Sequence, residues 1–417
     1  MDLNQYYLLM ACVFGFLMAW GIGANDVSNA MGTSVGSQAI TIRQAILIAA
    51  VFEFLGSAFS GGEVTQTIRS GILDTSFFIN QPDMLIYSML ASLLASALWL
   101  GIACFFGWPV STTHTIVGAI VGVGMVQFGL DAVHWPGVGN IVLSWLMSPL
   151  LGCVFAYVVF ASVQRFILDN RQPFERAKKV VPIYIFLVGW IISILALNAA
   201  LKTFNLTLAP FTRFGLSIIF GLIVMLIGRF FLHRIQIDVE ADRKFHFTSV
   251  EKIFSVLMVF TACAMAYAHG SNDVSNAIGP VAAVVSALET EAMTLQNTAP
   301  IPFWVLILGA SGIVVGLLTY GYRVMATIGT KITHLTPSRG FAATLSTAFT
   351  VVLASATGYP ISTTHTLVGG ILGVGLARGI GAINLDVVKS IFMSWVITLP
   401  AGALLAVLCY KLLLFFK

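Results

Sequence analysis

The sequence predicts an all-α polytopic membrane protein, two inverted five-helix repeats with broken or re-entrant helices and a central two-helix hairpin, about 12 transmembrane segments in all. Three observations lead there. Of 417 residues, 58% are hydrophobic and only 9% are charged, with a mean hydropathy of +0.94, which leaves too little charge to cover a soluble surface. Apolar stretches of spanning length, roughly 20 residues, recur from Tyr6 to the C-terminus. Two polar motifs set in this apolar background each occur twice, in the same order, which marks an internal repeat.

Taken in order, the first repeat (residues 1–164) holds apolar stretches at 6–20, 45–59, 84–106 and 141–160. The first stretch has no basic region ahead of it and runs into a polar motif, so it reads as a retained span rather than a cleaved leader. The central unit (165–248) holds stretches at 183–201 and 211–232, joined by a turn near 202–210. Basic residues flank this pair: Arg165, Arg171, Arg176, Lys178 and Lys179 on one side, Arg229, Arg234, Arg243, Lys244 and Lys252 on the other. The segments carrying them, 164–179 and 229–252, read as aqueous, and the positive-inside rule places both in the cytoplasm. The second repeat (249–417) holds stretches at 253–268, 303–320, 341–356 and 387–416.

GANDVSNA at 23–30 returns as GSNDVSNA at 270–277, and PVSTTHTIVG at 109–118 returns as PISTTHTLVG at 360–369. Ser144-Trp145 returns as Ser394-Trp395, and 64–68 corresponds to 324–328, with an inserted loop expected at 289–300. Each repeat reads as three spans, a shorter helix opening at the Pro-x-Ser-Thr-Thr-His motif (spanning or re-entrant), and a long final helix. An odd number of crossings inverts the second copy and leaves both termini outside.

The motifs carry the chemistry. Asn25, Asp26, Ser28 and Asn29 follow an apolar helix, and Asn272, Asp273, Ser275 and Asn276 repeat them. An acid at hydrocarbon depth is costly unless a pathway or partner uses it. Gly21, Gly23, Gly32 and Gly36 are expected to let the backbone unwind and offer carbonyls to a ligand. Carbonyl, amide and carboxylate oxygens together suit a hard cation. A water-exposed Asn/Asp helix cap accounts for one copy but not for the duplication. In the second motif, Ser111, Thr112 and Thr113, and again Ser362, Thr363 and Thr364, stand at expected helix starts after a proline. Free N–H groups and hydroxyls there form an anion cradle; plain Ser/Thr capping is the simpler alternative. His114 and His365 close these motifs, either as proton carriers or, as preferred, as neutral residues orienting a hydroxyl. Glu53 is a further intramembrane acid without a counterpart, since Ile313 stands at its place; it is a coupling residue or a helix–helix anchor. Thr65 and Gln66 are candidates to line the cavity, and Glu63 is expected to pair with Arg69. Gly118 and Gly122 read as close helix packing. Five scattered cysteines read as core residues rather than disulfides. No P-loop, dinucleotide fingerprint or metal-ligand spacing is apparent.

A dianion near Asp26 and Asp273 gathers about four negative charges at low dielectric, and these need compensation. With no Lys or Arg in either motif pair, bound cations or protons are left to supply it, and the chain reads as a cation-coupled anion importer.

At these residues the chain resembles the inorganic phosphate transporter (PiT) family, over both halves apart from a central loop that is short here. The resemblance implies phosphate uptake by symport with sodium (favoured) or protons, through alternating access, in a multi-pass plasma-membrane protein without enzymatic activity or organic cofactor. It implies that Asp26, Asn29, Asp273 and Asn276, with Asn25 and Asn272 beside them, bind the coupling cation, and that Ser111, Thr112, Thr113, Ser362, Thr363 and Thr364 bind phosphate. It also implies a functional role for Glu53, whereas a second acid of sodium-coupled relatives is replaced here by Thr344. Expected partners are inorganic phosphate, the lipid bilayer and a second copy in a homodimer, with no nucleic acid. The rival readings are a sulfate or other oxyanion permease of the same fold, a channel, and an intramembrane hydrolase built on Ser111, His114 and Asp26. The hydrolase lacks a visible base orienter.

Overall fold

The computed structural model describes residues 2–79, 81–108, 110–203, 206–238, 242, 247–289, 300–323, 325, 335–379 and 385–415. Among the described residues there are 13 α-helices and no strand, only an isolated bridge between Leu73 and Val133. The first half comprises α1 (Leu3–Gly36), α2 (Ile42–Ser60), α3 (Gly62–Ser70), α4 (Pro82–Phe106), α5 (Thr112–Phe128) and α6 (Trp135–Val163). A hairpin of α7 (Pro173–Thr203) and α8 (Pro210–His233) follows. The second half comprises α9 (Thr248–Glu289), α10 (Phe303–Gly316), α11 (Pro337–Ala356), α12 (Thr363–Arg378) and α13 (Leu385–Phe415). Among the described residues, ten segments are long and apolar enough to cross a membrane, and α5 is a shorter apolar helix. Each of the ten overlaps one of the predicted stretches, and the chain is a multi-pass membrane protein.

Local chemistry sets the boundaries. Asp2 with Gln5, and Thr41 with Gln44, form capping boxes that start α1 and α2. Gly107, in the left-handed region at φ 65°, closes α4 and turns the chain toward α5. The two basic segments are partly helical, and Arg243 and Lys244 lie outside the described residues. Arg176, Lys178 and Lys179 lie on α7, and Arg229 lies on α8, because Lys and Arg are good helix formers whose long side chains reach water from a helix end. All five cysteines are free.

The expected unwinding at the first motif does not occur. α1 and α9 run unbroken through residues 23–30 and 270–277. A glycine in a helix costs about 1 kcal/mol, whereas a backbone group left without a partner at membrane depth costs several, so the helix persists. The breaks fall at Gly61, between α2 and α3, and in the loops ahead of α5 and α12. The motif glycines serve close approach instead: a Cβ on Gly23 would lie 1.9 Å from the Ile313 carbonyl oxygen, and one on Gly270 would lie 2.3 Å from that of Glu53. Gly118 and Gly122 likewise press on Leu399 and Ala403 of α13.

The packing comes in matched pairs with the halves exchanged. α1 packs on α10 as α9 packs on α2, and α1 packs on α4 as α9 packs on α11. α6 packs on α12 as α13 packs on α5, and α1 and α9 meet each other between them. Pro109, residues 290–299 of the expected insertion, and 324 and 326–328 of the expected correspondence lie outside the described residues, as do the side chains of Ser394 and Trp395.

Candidate functional site

α1 and α9 bring both Asn-Asp motifs together with Glu53 of α2. Asp26, Asp273 and Glu53 are all buried, at 1%, 1% and 0% exposure, so these acids sit where an uncompensated charge is not tolerated. Between them stands His269, fully buried on α9, one turn before Asp273. Its Nε2 lies 2.9 Å from Asp273 Oδ2 and its Nδ1 lies 3.3 Å from Glu53 Oε1. These are ion-pair distances without hydrogen-bond alignment. Among the described residues both carboxylate oxygens of Glu53, Asp273 Oδ1 and the Asn276 amide oxygen are buried acceptors with no donor. Orphaned buried acceptors of this kind call for positive charge. Asp26, His269 and Asp273 each present a ligand atom, all within 4.8 Å of one another, so the group has the donor set to hold a metal cation. An imidazolium at His269 compensates the same charge, and the two states exclude each other on the His269 nitrogen that would bind the metal.

This cluster revises two sequence-based expectations. His269 is absent from the predicted candidates, although it is the one positive-capable group in the cluster. A metal-ligand spacing does exist: a His and an Asp four apart share one helix face, and that signal was available in the sequence. His114 and His365 are not lone histidines either; their ring centroids lie 4.9 Å apart. His114 Nδ1 lies within hydrogen-bond distance of Ser111 Oγ, the arrangement of a residue that orients a hydroxyl.

The Ser-Thr-Thr motifs open α5 and α12. Ser111 and Ser362 are their N-caps, accepting from the backbone N–H of His114 and His365. This cap geometry leaves Thr112 and Thr113, and Thr363 and Thr364, on the first turns, where helix N–H groups are free. The hydroxyls connect to the Asn-Asp motifs. Asn29 Nδ2 donates to Thr364 Oγ1 at 2.7 Å and to Asp26 Oδ1 at 3.3 Å. Asn276 Nδ2 donates to Thr113 Oγ1 at 3.1 Å and Thr112 Oγ1 at 3.3 Å. Thr363 Oγ1 donates to Asp273 Oδ2 at 2.9 Å. Each Asn-Asp motif thus contacts Thr hydroxyls at a helix start, and the asparagines reach those of the opposite half.

Other predicted residues have different neighbours. Asn25 Nδ2 donates to the Trp108 carbonyl at 3.0 Å. Asn272 donates to the Tyr359 carbonyl and accepts from the Ile361 N–H, both at 3.2 Å. These two amides therefore hold the loops that lead into α5 and α12. Trp145 Nε1 donates to the Pro360 carbonyl at 3.0 Å from the other half. Thr65 donates to the Gly61 carbonyl at 2.6 Å, stitching the α2–α3 break, and Gln66 is half-buried beside it on α3. Thr67 reaches across instead, donating to the Gly358 carbonyl at 2.6 Å. Glu63 pairs with Lys202 rather than with Arg69. Thr344 shares a 2.7 Å hydrogen bond with Thr33.

A family profile described as the Phosphate transporter family matches residues 22–406. The chain is 51% identical over 413 residues to a Haemophilus influenzae protein named "Putative phosphate permease", covering 98% of this chain and 97% of that one. It is 43% identical over 413 residues to "Inorganic phosphate transporter 2-1, chloroplastic" of Arabidopsis thaliana, covering 95% of this chain and 70% of that one. A solved structure named "The sodium-dependent phosphate transporter" superposes with a TM-score of 0.90 at 40% identity, covering 99% of this chain and all of that one. With buried acids and helix-start hydroxyls gathered inside a multi-pass helical protein, and with these likenesses running nearly end to end, the chain belongs to the phosphate transporter family, a family of transporters rather than enzymes.

Proposed function

We propose that this chain imports inorganic phosphate across the plasma membrane by cation symport, with sodium as the favoured coupling ion and the proton as the alternative. The observation that carries this reading is the set of buried, donorless acceptors on Glu53, Asp273 and Asn276 beside the hydroxyl-lined starts of α5 and α12. Acceptors of that kind suit a cation, and free helix N–H groups with hydroxyls suit a tetrahedral oxyanion. Held together, cation and anion cancel most of each other's charge, so neither moves cheaply without the other. That is the energetic root of coupling. Asp26, Asn29, Asp273 and Asn276 are assigned to the cation, and Ser111, Thr112, Thr113, Ser362, Thr363 and Thr364 to phosphate. Asn25 and Asn272 are assigned to fixing the approach loops. The solved relative's name supports sodium.

Transport of this kind would use two inverted repeats, 1–164 and 249–417, around a central unit, 165–248. Twelve crossings result when α5 and α12 are counted with the ten long segments. The matched pairing of interfaces supports alternating access by exchange between two related arrangements. The decisive experiment is reconstitution with a sodium gradient alone, then a proton gradient alone, with sulfate as competitor. Phosphate accumulation under one gradient, insensitive to sulfate, is the expected result, and Asp26→Asn should abolish it. Absence of accumulation under both gradients would remove the symport reading.

A further inference from the structure

The structure holds a cavity of about 770 Å³ between the α7–α8 hairpin and the ends of α2, α3 and α11. Its wall is mostly aliphatic, with a few charged and polar side chains among the lining. Lys202 of α7, Arg213 of α8 and Asn198 line it together with Glu63 of α3. Arg213 Nε is buried and has no hydrogen-bond partner among the described residues, while its Nη1 makes only a long 3.4 Å contact with Asn198 Oδ1. A buried guanidinium N–H without an acceptor costs free energy that a bound anion recovers. Lys202 pairs with Glu63, and both are well exposed, at 72% and 46%. Exposed pairs of this kind hold weakly, so this one opens readily. Ser60 and Ser355 also line the cavity. Ser60 shares a 2.6 Å hydrogen bond with Tyr267, and Ser355 accepts from Ser271 at 3.1 Å and from Asn272 at 3.2 Å. Two lining residues are therefore one hydrogen bond from the second Asn-Asp helix.

We propose that this cavity is an antechamber that binds a phosphoryl oxyanion through Arg213 and Lys202 before it reaches the Ser-Thr-Thr helix starts, with Glu63 as the internal competitor for Lys202. The inference deepens the phosphate-import reading and rests on it. The central hairpin, which carries neither repeated motif, thereby supplies the positive charge that the motifs lack. The same chemistry fits free phosphate and the headgroup of an anionic phospholipid.

The test is phosphate uptake in neutral-lipid vesicles at low ionic strength. Arg213→Ala should raise the KM for phosphate roughly fivefold, the size of one partly screened charge, with a smaller change in kcat and a loss of the effect at high salt. Glu63→Gln should lower KM by freeing Lys202, a sign that damage to the fold does not produce. Arg213→Lys should recover most of the loss. Native mass spectrometry with phosphatidylglycerol forms the second arm. Retention of that lipid by the wild type and its loss in Arg213→Ala, with KM unchanged, assigns the site to a lipid headgroup. If neither KM nor lipid retention responds to Arg213→Ala, the antechamber is overturned. If wild-type protein accumulates no phosphate at all, the import reading fails, and the lipid arm still decides the site.

Discussion

Glu53 and His269 occupy neighbouring helices, α2 and α9, and meet at 3.3 Å with no water-exposed surface on either. The contact exists because the Gly270 backbone lies against the Glu53 carbonyl, which leaves the side chain one residue earlier beside the carboxylate. Removing Glu53 takes away one of the two acids that face His269, and removing His269 leaves Glu53 and Asp273 without the cation between them at low dielectric. Glu53→Gln should therefore lower stability by about 3 kcal/mol, read as the midpoint of thermal unfolding in detergent, and cut coupled uptake at least about tenfold. His269→Gln should do the same, and the double variant should cost less than the two losses added. Strict additivity would mean that the pair is not coupled. The acids were legible in the sequence because a charged residue in an apolar run stands out. His269 stood four residues before Asp273 in plain view, but its contact with Glu53 was not legible, because that partner comes from α2, far away along the chain. The same holds for Asn25 and Asn272: both are visibly part of the motifs, but which oxygen or N–H each one meets depends on where the loops before α5 and α12 pass.

At the scale of elements, the two motif helices stay whole because their glycines provide proximity rather than flexibility. A methyl group at Gly23 or Gly270 would fall inside the van der Waals radius of a facing carbonyl, and backbone has little room to give. Gly23→Ala and Gly270→Ala should each destabilise the protein by about 3 kcal/mol in thermal unfolding. Gly101→Ala on α4, where nothing lies within 4 Å, should be neutral or stabilise by up to about 1 kcal/mol. Equal effects at all three positions would show that helix propensity, not close packing, governs the motif glycines. The starts of α5 and α12 follow local rules that a sequence displays openly: Ser at the N-cap and Thr in the first turn. Their convergence does not follow from those rules. It depends on cross-half contacts such as Trp145 with the Pro360 carbonyl.

For the whole molecule, the proposed inverted topology makes a labelling prediction. Single cysteines introduced in a cysteine-free background at Asp2 and Leu206 should react with a membrane-impermeant maleimide from outside, and one at Arg171 only after the membrane is opened. Labelling of Arg171→Cys from outside in intact cells would overturn the assigned orientation. Composition and apolar run lengths were enough to predict the ten long membrane segments, because burial in lipid acts on each segment independently of its partners. Duplication was legible for a similar reason: the repeated motifs are local strings. By itself the sequence thus determined the membrane setting, the repeat, the family resemblance and the polar residues worth watching. Only the tertiary structure decided that α1 and α9 run unbroken, that Glu63 takes Lys202, and that His269 stands between Glu53 and Asp273. Each of these is a contest between partners distant in the chain, settled by which helices pack together, and a local pattern of residues carries no distance between helices.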